Sequence, residues 1–201
     1  MLGGLAAVTV LVILWQLFSA GEDPEARDLR GRTPLIVAAE EGGSARVRKL
    51  VDRGAVIDAS DDCNWTAMMR AAAGGHEDIL VFLLDRGAKV NYQEKSGYTA
   101  LMGAVINHQL APARILIERG ANVDVKEGEK GQIALMMAVR NRHAHLVELL
   151  LDAGASADLE NDEGQSAMGL ALLASAGDSS QLEEIRRVLG CDLADAGSPE
   201  N

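Results

Sequence analysis

Cysteine is almost missing from this chain: its 201 residues include two, Cys63 and Cys191, with no C-x-x-C spacing. That excludes a disulfide framework and a zinc knuckle. Aromatic residues are nearly as scarce, at 3%, so the positions of the few present carry weight. Basic charge is in deficit. Nineteen Lys and Arg stand against thirty Asp and Glu, for a net charge of −11, which argues against nucleic acid as a partner because phosphate binding needs a cationic surplus. What the chain does hold is 48% hydrophobic and 24% charged residues, the balance of a folded core rather than a disordered segment. Its length fits one ordinary domain plus an extra segment.

The extra segment stands at the start. Residues 2–18, LGGLAAVTVLVILWQLF, contain no charge. At the helical rise they cover roughly 25 Å, and Ser19 and Ala20 bring the run close to the hydrocarbon thickness of about 30 Å. A buried core helix fits poorly with the GEDPEARD that follows at once. A cleaved secretory signal would find small residues at Ser19-Ala20-Gly21, but no Lys or Arg precedes the apolar run, as a signal would require. Residues 1–20 therefore read as a transmembrane anchor or signal segment, the uncleaved single-pass anchor being preferred, with 2–20 in the membrane and 21–27 as an acidic linker. Arg27, Arg30 and Arg32 follow the span and place the bulk of the chain in the cytoplasm by the positive-inside rule. Glu22, Asp23, Glu25 and Asp28 dilute that charge, which leaves the periplasm open.

The remainder is periodic. GRTPLIVAAEEGG begins at 31, NWTAMMRAAAGGH at 64, GYTALMGAVINHQ at 97, GQIALMMAVRNRH at 131 and GQSAMGLALLASA at 164. A second marker keeps the same register: DRGAVID, DRGAKVN, ERGANVD and DAGASAD end at 58, 91, 124 and 158. Between them run apolar stretches such as ILVFLL at 79–84. Each unit predicts a short Ala-rich helix, a tight turn, a second apolar helix and a glycine stop. Thr33, Thr66, Thr99 and Ser166 stand where N-caps belong, Pro34 at a first helical position, and Gly54, Gly87, Gly120 and Gly154 where a left-handed residue ends a helix. One such unit cannot bury its own apolar face, whereas stacked units can.

This pattern resembles the ankyrin repeat family, whose unit of about 33 residues opens its first helix with T-P-L-H-x-A. The resemblance covers 28–190, in units 28–60, 61–93, 94–127, 128–160 and 161–190, with 191–201 as a polar tail. It implies an all-α solenoid of stacked helix-turn-helix units with short β-hairpin-like loops, here preceded by a single hydrophobic helix. The departures are local. Ile36, Met69, Met102, Met136 and Gly169 replace the motif histidine, Asn64 replaces a loop glycine, and Ile133 replaces a capping Thr. The hairpin KEGEKG at 126–131 carries one extra residue.

The family presents variable residues on a concave face made of hairpins and first helices. Carried over residue by residue, that implies a non-catalytic protein–protein interaction surface of Arg32, Trp65, Arg70, Tyr98, Lys130, Arg140 and Asn141. Trp65 and Tyr98 hold equivalent positions before their capping Thr residues and are the anchors by residue type. No catalytic, cofactor or metal site emerges. His76-Glu77-Asp78 lacks the second histidine of a zincin. In RNRHAH at 140–145, His143 and His145 lie two residues apart, about 200° around a helix, too far to share an ion. The methionines recur one or two per unit in the second to fifth units at core positions, spaced along the stack. Two rivals remain: an exported periplasmic protein of protective, immunity-type function, and metal or redox buffering by Met, His and Cys.

Overall fold

The computed structural model describes residues 23–174 and 180–190, and among them ten helices pair into five repeats. The first helices are α1 (Pro34–Glu40), α3 (Ala67–Gly74), α5 (Ala100–Ile106), α7 (Ala134–Arg140) and α9 (Ala167–Leu173). Their antiparallel partners are α2 (Ser44–Asp52), α4 (Glu77–Asp85), α6 (Leu110–Glu118), α8 (Ala144–Asp152) and α10 (Ser180–Val188). The first helices pack on one another as an inner row and the second helices as an outer row, the inner row more closely. Its side chains explain the difference: Ala71, Ala72, Ala104 and Ala138 are fully buried, and so small a contact residue lets helix axes approach. Met69, Met102 and Met136 fill the core beneath them.

The helix starts form as their caps dictate. Thr33, Thr66, Thr99 and Ser166 each accept a hydrogen bond from the backbone N–H three residues on. Ile133 makes no such bond, and burial of its side chain stands in the cap's place. Asn64 takes φ +64° where Gly31, Gly97, Gly131 and Gly164 are also left-handed.

A second set of bonds repeats with the same period. One side chain per hairpin turns back onto the hairpin's own N–H groups: Asp28 on Arg30 and Arg32, Asp61 on Cys63 and Trp65, Glu94 on Ser96 and Tyr98, and Asn161 on Glu163 and Gln165. In the hairpin with the inserted residue, Glu127 takes three, from Glu129, Lys130 and Gln132. The longer loop is thus closed by one extra bond.

Further bonds sew each repeat to the next. Asp58 accepts from Lys89 N–H at 3.1 Å, Asn91 from Asn122 N–H at 2.8 Å and Asp124 from Ser156 N–H at 3.0 Å. Glu25 accepts from Val56 N–H at 2.9 Å, and Arg27 donates to the carbonyls of Gly31 and Ser60. Residues 23–27, acidic enough to read as a linker, therefore hold the same place before repeat 1 that residues 56–60 hold before repeat 2. Hairpin tips also join directly, Asp62 N–H to Arg30 and Asp162 N–H to Lys130.

The tip contact favours glycine at 131. It sits at φ +66°, and an added Cβ would lie 2.5 Å from Oδ1 of Asp162. Gly131→Ala should lower stability by about 1–3 kcal/mol, read from the denaturation midpoint; Gly164→Ala, with open space around it, should cost less.

At the far end Arg186 closes the stack. The residue is 8% exposed, and its guanidinium donates to the carbonyls of Ala171 and Ala174, satisfying the last turn of α9. The apolar segment 2–20 lies outside the described residues. Among the described ones no helix is long and apolar enough to cross a membrane.

Candidate interaction surface

Hairpin bases and the ends of the inner helices share one face, because side chains from both meet there. Arg32, before the cap of α1, pairs with Asp28 at 2.8 Å and reaches Glu40 at the end of the same helix. The Asp28 carboxyl is held below its usual range, first by this hydrogen bond. Arg70 on α3 bonds Asp61 at 2.8 Å and Glu40 at 3.4 Å, linking repeat 2 to repeat 1. Its Nε is buried without a hydrogen-bond partner.

Trp65 is half-buried rather than free. The Arg70 guanidinium lies 4.6 Å from its ring centroid, and a Cβ built on Gly103 would stand 3.7 Å from the far edge of the ring. The indole thus bridges repeats 2 and 3. Tyr98 is half-buried too, and burial raises its hydroxyl's pKa, helped by Glu127, Glu129 and Glu94. Sequence position placed these two aromatics on the surface. Packing against the next repeat explains why Trp65 exposes only part of its ring, and Tyr98 packs against the core.

The seven candidate residues therefore fall into two groups. Arg32, Trp65 and Arg70 form a network paired within the chain over repeats 1 and 2, with Arg70 Nε left unbonded. Across repeats 3 and 4, Tyr98 is followed by Lys130, Arg140 and Asn141, all three exposed. Lys130 and Asn141 spend their backbone groups on the fold. The Arg140 and Lys130 side chains have no salt-bridge partner among the described residues. Ile106, at the position of Arg140 one repeat earlier, adds an apolar group 39% exposed. Sequence reasoning places Glu40 at the presented end of the first helix but misses its pairing with Arg32 and Arg70, and it misses Asp61, the carboxylate that meets Arg70. The recurrence of an acid five residues before each capping Thr was the available signal for Asp61.

In the turn that follows the inner helix, His76 meets the Glu40 carbonyl at 3.2 Å, a bond from one repeat to the next. His143 holds the corresponding place in repeat 4, but its ring stacks on His108 with centroids 3.9 Å apart and planes tilted by 30°. His108 and Arg142 both adopt left-handed backbone, φ +62° and +58°, where repeats 1 and 2 use glycine. The His143 pKa is lowered, first by burial and then by His108 and His145. The folded protein therefore binds a proton there less readily than the unfolded chain. Stability is then complete above the ordinary histidine pKa near 6.5 and is lost as pH falls below it. The melting temperature should drop between about pH 7.5 and 5.5, and His143→Gln should flatten that dependence in a thermal scan.

Nothing in this face gathers a nucleophile, a base and a polarising group into a cleft. Among the described residues no group of three or more His, Cys, Asp or Glu is arranged to hold a metal ion. The architecture is that of a solenoid of five stacked helix pairs. The model of the family described as ankyrin repeats matches residues 5–94, 61–127 and 101–189. The chain belongs to the ankyrin repeat family. It is also 43% identical over 61 residues to a glycerophosphocholine phosphodiesterase of Schizosaccharomyces pombe. That stretch is 30% of this chain and 5% of the relative, so the chain spans about a twentieth of that protein's length.

Proposed function

We propose that this protein is a non-catalytic binding module that holds another protein against the concave face of repeats 3 and 4. Arg140 carries this reading: an exposed arginine on the interaction face, without a salt bridge among the described residues, beside the exposed Ile106. An arginine next to an apolar group is a frequent hot-spot pairing. Repeats 1 and 2 contribute a rigid edge, because Arg32 and Arg70 are already paired within the chain. The solenoid is bonded repeat to repeat before any partner arrives, so little ordering cost opposes association. The ankyrin family membership supports a protein as the partner.

Attachment to a membrane through residues 2–20 belongs to the same proposal, resting on the length and lack of charge of that run. The phosphodiesterase likeness adds no activity here, since a repeat segment can be shared by proteins of unrelated chemistry.

The test compares affinity for a partner captured by the full-length protein. Tyr98→Ala, Lys130→Ala and Arg140→Ala combined should weaken binding at least about thirtyfold, the scale of one or two hot spots. Alanine at Arg48 and Asp85 on the outer helices should change nothing. Equal affinity for the triple variant and the unaltered protein would remove the concave face from consideration.

A further inference from the structure

The ends of the inner helices form a row along the stack. In register, that row runs Glu40, Ala73, Ile106, Arg140 and Leu173. Its two halves differ in kind. In repeats 1 and 2 it is closed, because Glu40 is held by Arg32 and Arg70 and Ala73 ends at a methyl group. In repeats 3 to 5 it is open. Ile106 is 39% and Leu173 73% exposed. Arg140 between them is exposed, and its side chain has no bonding partner among the described residues.

The surroundings leave that charge unanswered. One turn earlier on the inner helices stand Gly103, Met137 and Leu170, none of them charged. The hairpin bases of repeats 4 and 5 are neutral too, Gln132 and Gln165, where repeat 1 has Arg32. Glu127 spends its carboxylate on three backbone N–H groups. A guanidinium set between apolar side chains pairs strongly with a carboxylate, because little water competes for either.

Spacing and hydrogen bonding define the backbone that fits. Packed helices lie about 8–10 Å apart, and three residues of extended chain span about 10 Å. One step of the row is therefore three residues of an extended strand laid across the inner helices. A helix would match the same step only every seven residues or so, and its backbone groups would be satisfied internally. Beside Arg140, the exposed Asn141 has a side-chain amide with no partner among the described residues. An extended backbone offers that amide a donor and an acceptor, whereas a helix offers none along its length.

We infer, on the strength of the concave-face reading, that repeats 3 to 5 receive an extended protein segment with one carboxylate and an apolar side chain three residues to either side. The carboxylate meets Arg140, and the apolar groups cover Ile106 and Leu173. The pattern is symmetric, so it fits the row in either chain direction. With a net charge of −11 behind it, the face repels a run of acids, which limits the segment to one.

The experiment titrates the full-length protein against fluorescent synthetic peptides. In the first, leucine, glutamate and leucine are separated by two serines at each step. A second has lysine in place of the glutamate, and a third spaces the leucines and glutamate seven apart in an alanine-rich helical frame. The first should bind at least about tenfold more tightly than the second, and more tightly than the third. Arg140→Glu should invert the preference in favour of lysine, a reversal that loss of folding cannot produce. Leu173→Ser should weaken the first peptide several-fold. Indifference to the central charge, a preference that survives Arg140→Glu, tighter binding of the helical peptide, or no binding by any peptide at millimolar concentration would overturn the inference. The Tyr98, Lys130 and Arg140 triple variant separates it from the broader reading. If that variant loses its captured partner while the peptides fail, the concave face stands and only the segment's chemistry falls; if neither responds, both fall.

Discussion

Asp61→Ala should be the most damaging single side-chain truncation in the hairpins, lowering stability by about 2–4 kcal/mol, the scale for leaving buried donors unsatisfied beside a partly exposed arginine. Asp61 is 6% exposed. Its carboxylate accepts from Cys63 and Trp65 N–H at 2.9 Å each and from the Arg70 guanidinium at 2.8 Å. Alanine leaves two hairpin donors unsatisfied and an arginine, already with one buried unbonded nitrogen, without its nearest acceptor. Arg70 would then hold only the 3.4 Å contact with Glu40. Its stack on Trp65 should loosen, so the tryptophan emission should shift to the red well before global unfolding. Asp61→Asn keeps an acceptor for the hairpin but not the charge, so its loss should be smaller. Chemical denaturation of the three proteins checks the order: unaltered, then Asn, then Ala.

Arg140→Glu should produce the largest functional effect, a loss of partner affinity of at least about a hundredfold from reversal at a single hot spot. The fold gives no reason for an accompanying loss of stability. Arg140 is exposed and lies in the last turn of α7, where a carboxylate is mildly unfavourable toward the helix dipole, by some tenths of a kcal/mol. The same reversal at Arg70 should behave oppositely, because Arg70 binds Asp61 and Glu40. There, folding fails first and binding falls with it. A matched pair of melting curves and titrations separates the two arginines. This contrast was invisible in the sequence, where both residues occupy family-variable positions.

The extent to which the sequence revealed the rest follows the range of the interactions. Caps at Thr33, Thr66 and Thr99 act over three residues, and the residue type announces them. The stop glycines are legible for the same reason. The hairpin anchors act over two to five residues but vary among Asp, Glu and Asn, so composition hides what register would have exposed. The links from Asp58, Asn91 and Asp124 span 31 or 32 residues and appear only once the repeats are stacked. Glu25 was hidden more deeply, since an acidic run before the first recognisable unit reads as linker. Its bond to Val56 shows that the register continues upstream of residue 28.

The interaction face divides along the same line. Position in the repeat put Trp65 and Tyr98 at equivalent places before their capping Thr residues. It could not tell that Trp65 lies between the Arg70 guanidinium and the inner helix of repeat 3, because that depends on how the inner helices of repeats 2 and 3 pack. Nor could it separate arginines already paired within the chain from Arg140.

The most direct test of the account is amide hydrogen exchange on the full-length protein with and without its captured partner. Binding at the concave face predicts added protection in residues 96–107 and 129–141, the hairpins and inner helices of repeats 3 and 4, with α4, α6 and α8 unchanged. Protection confined to the outer helices, or to repeats 1 and 2, would contradict it.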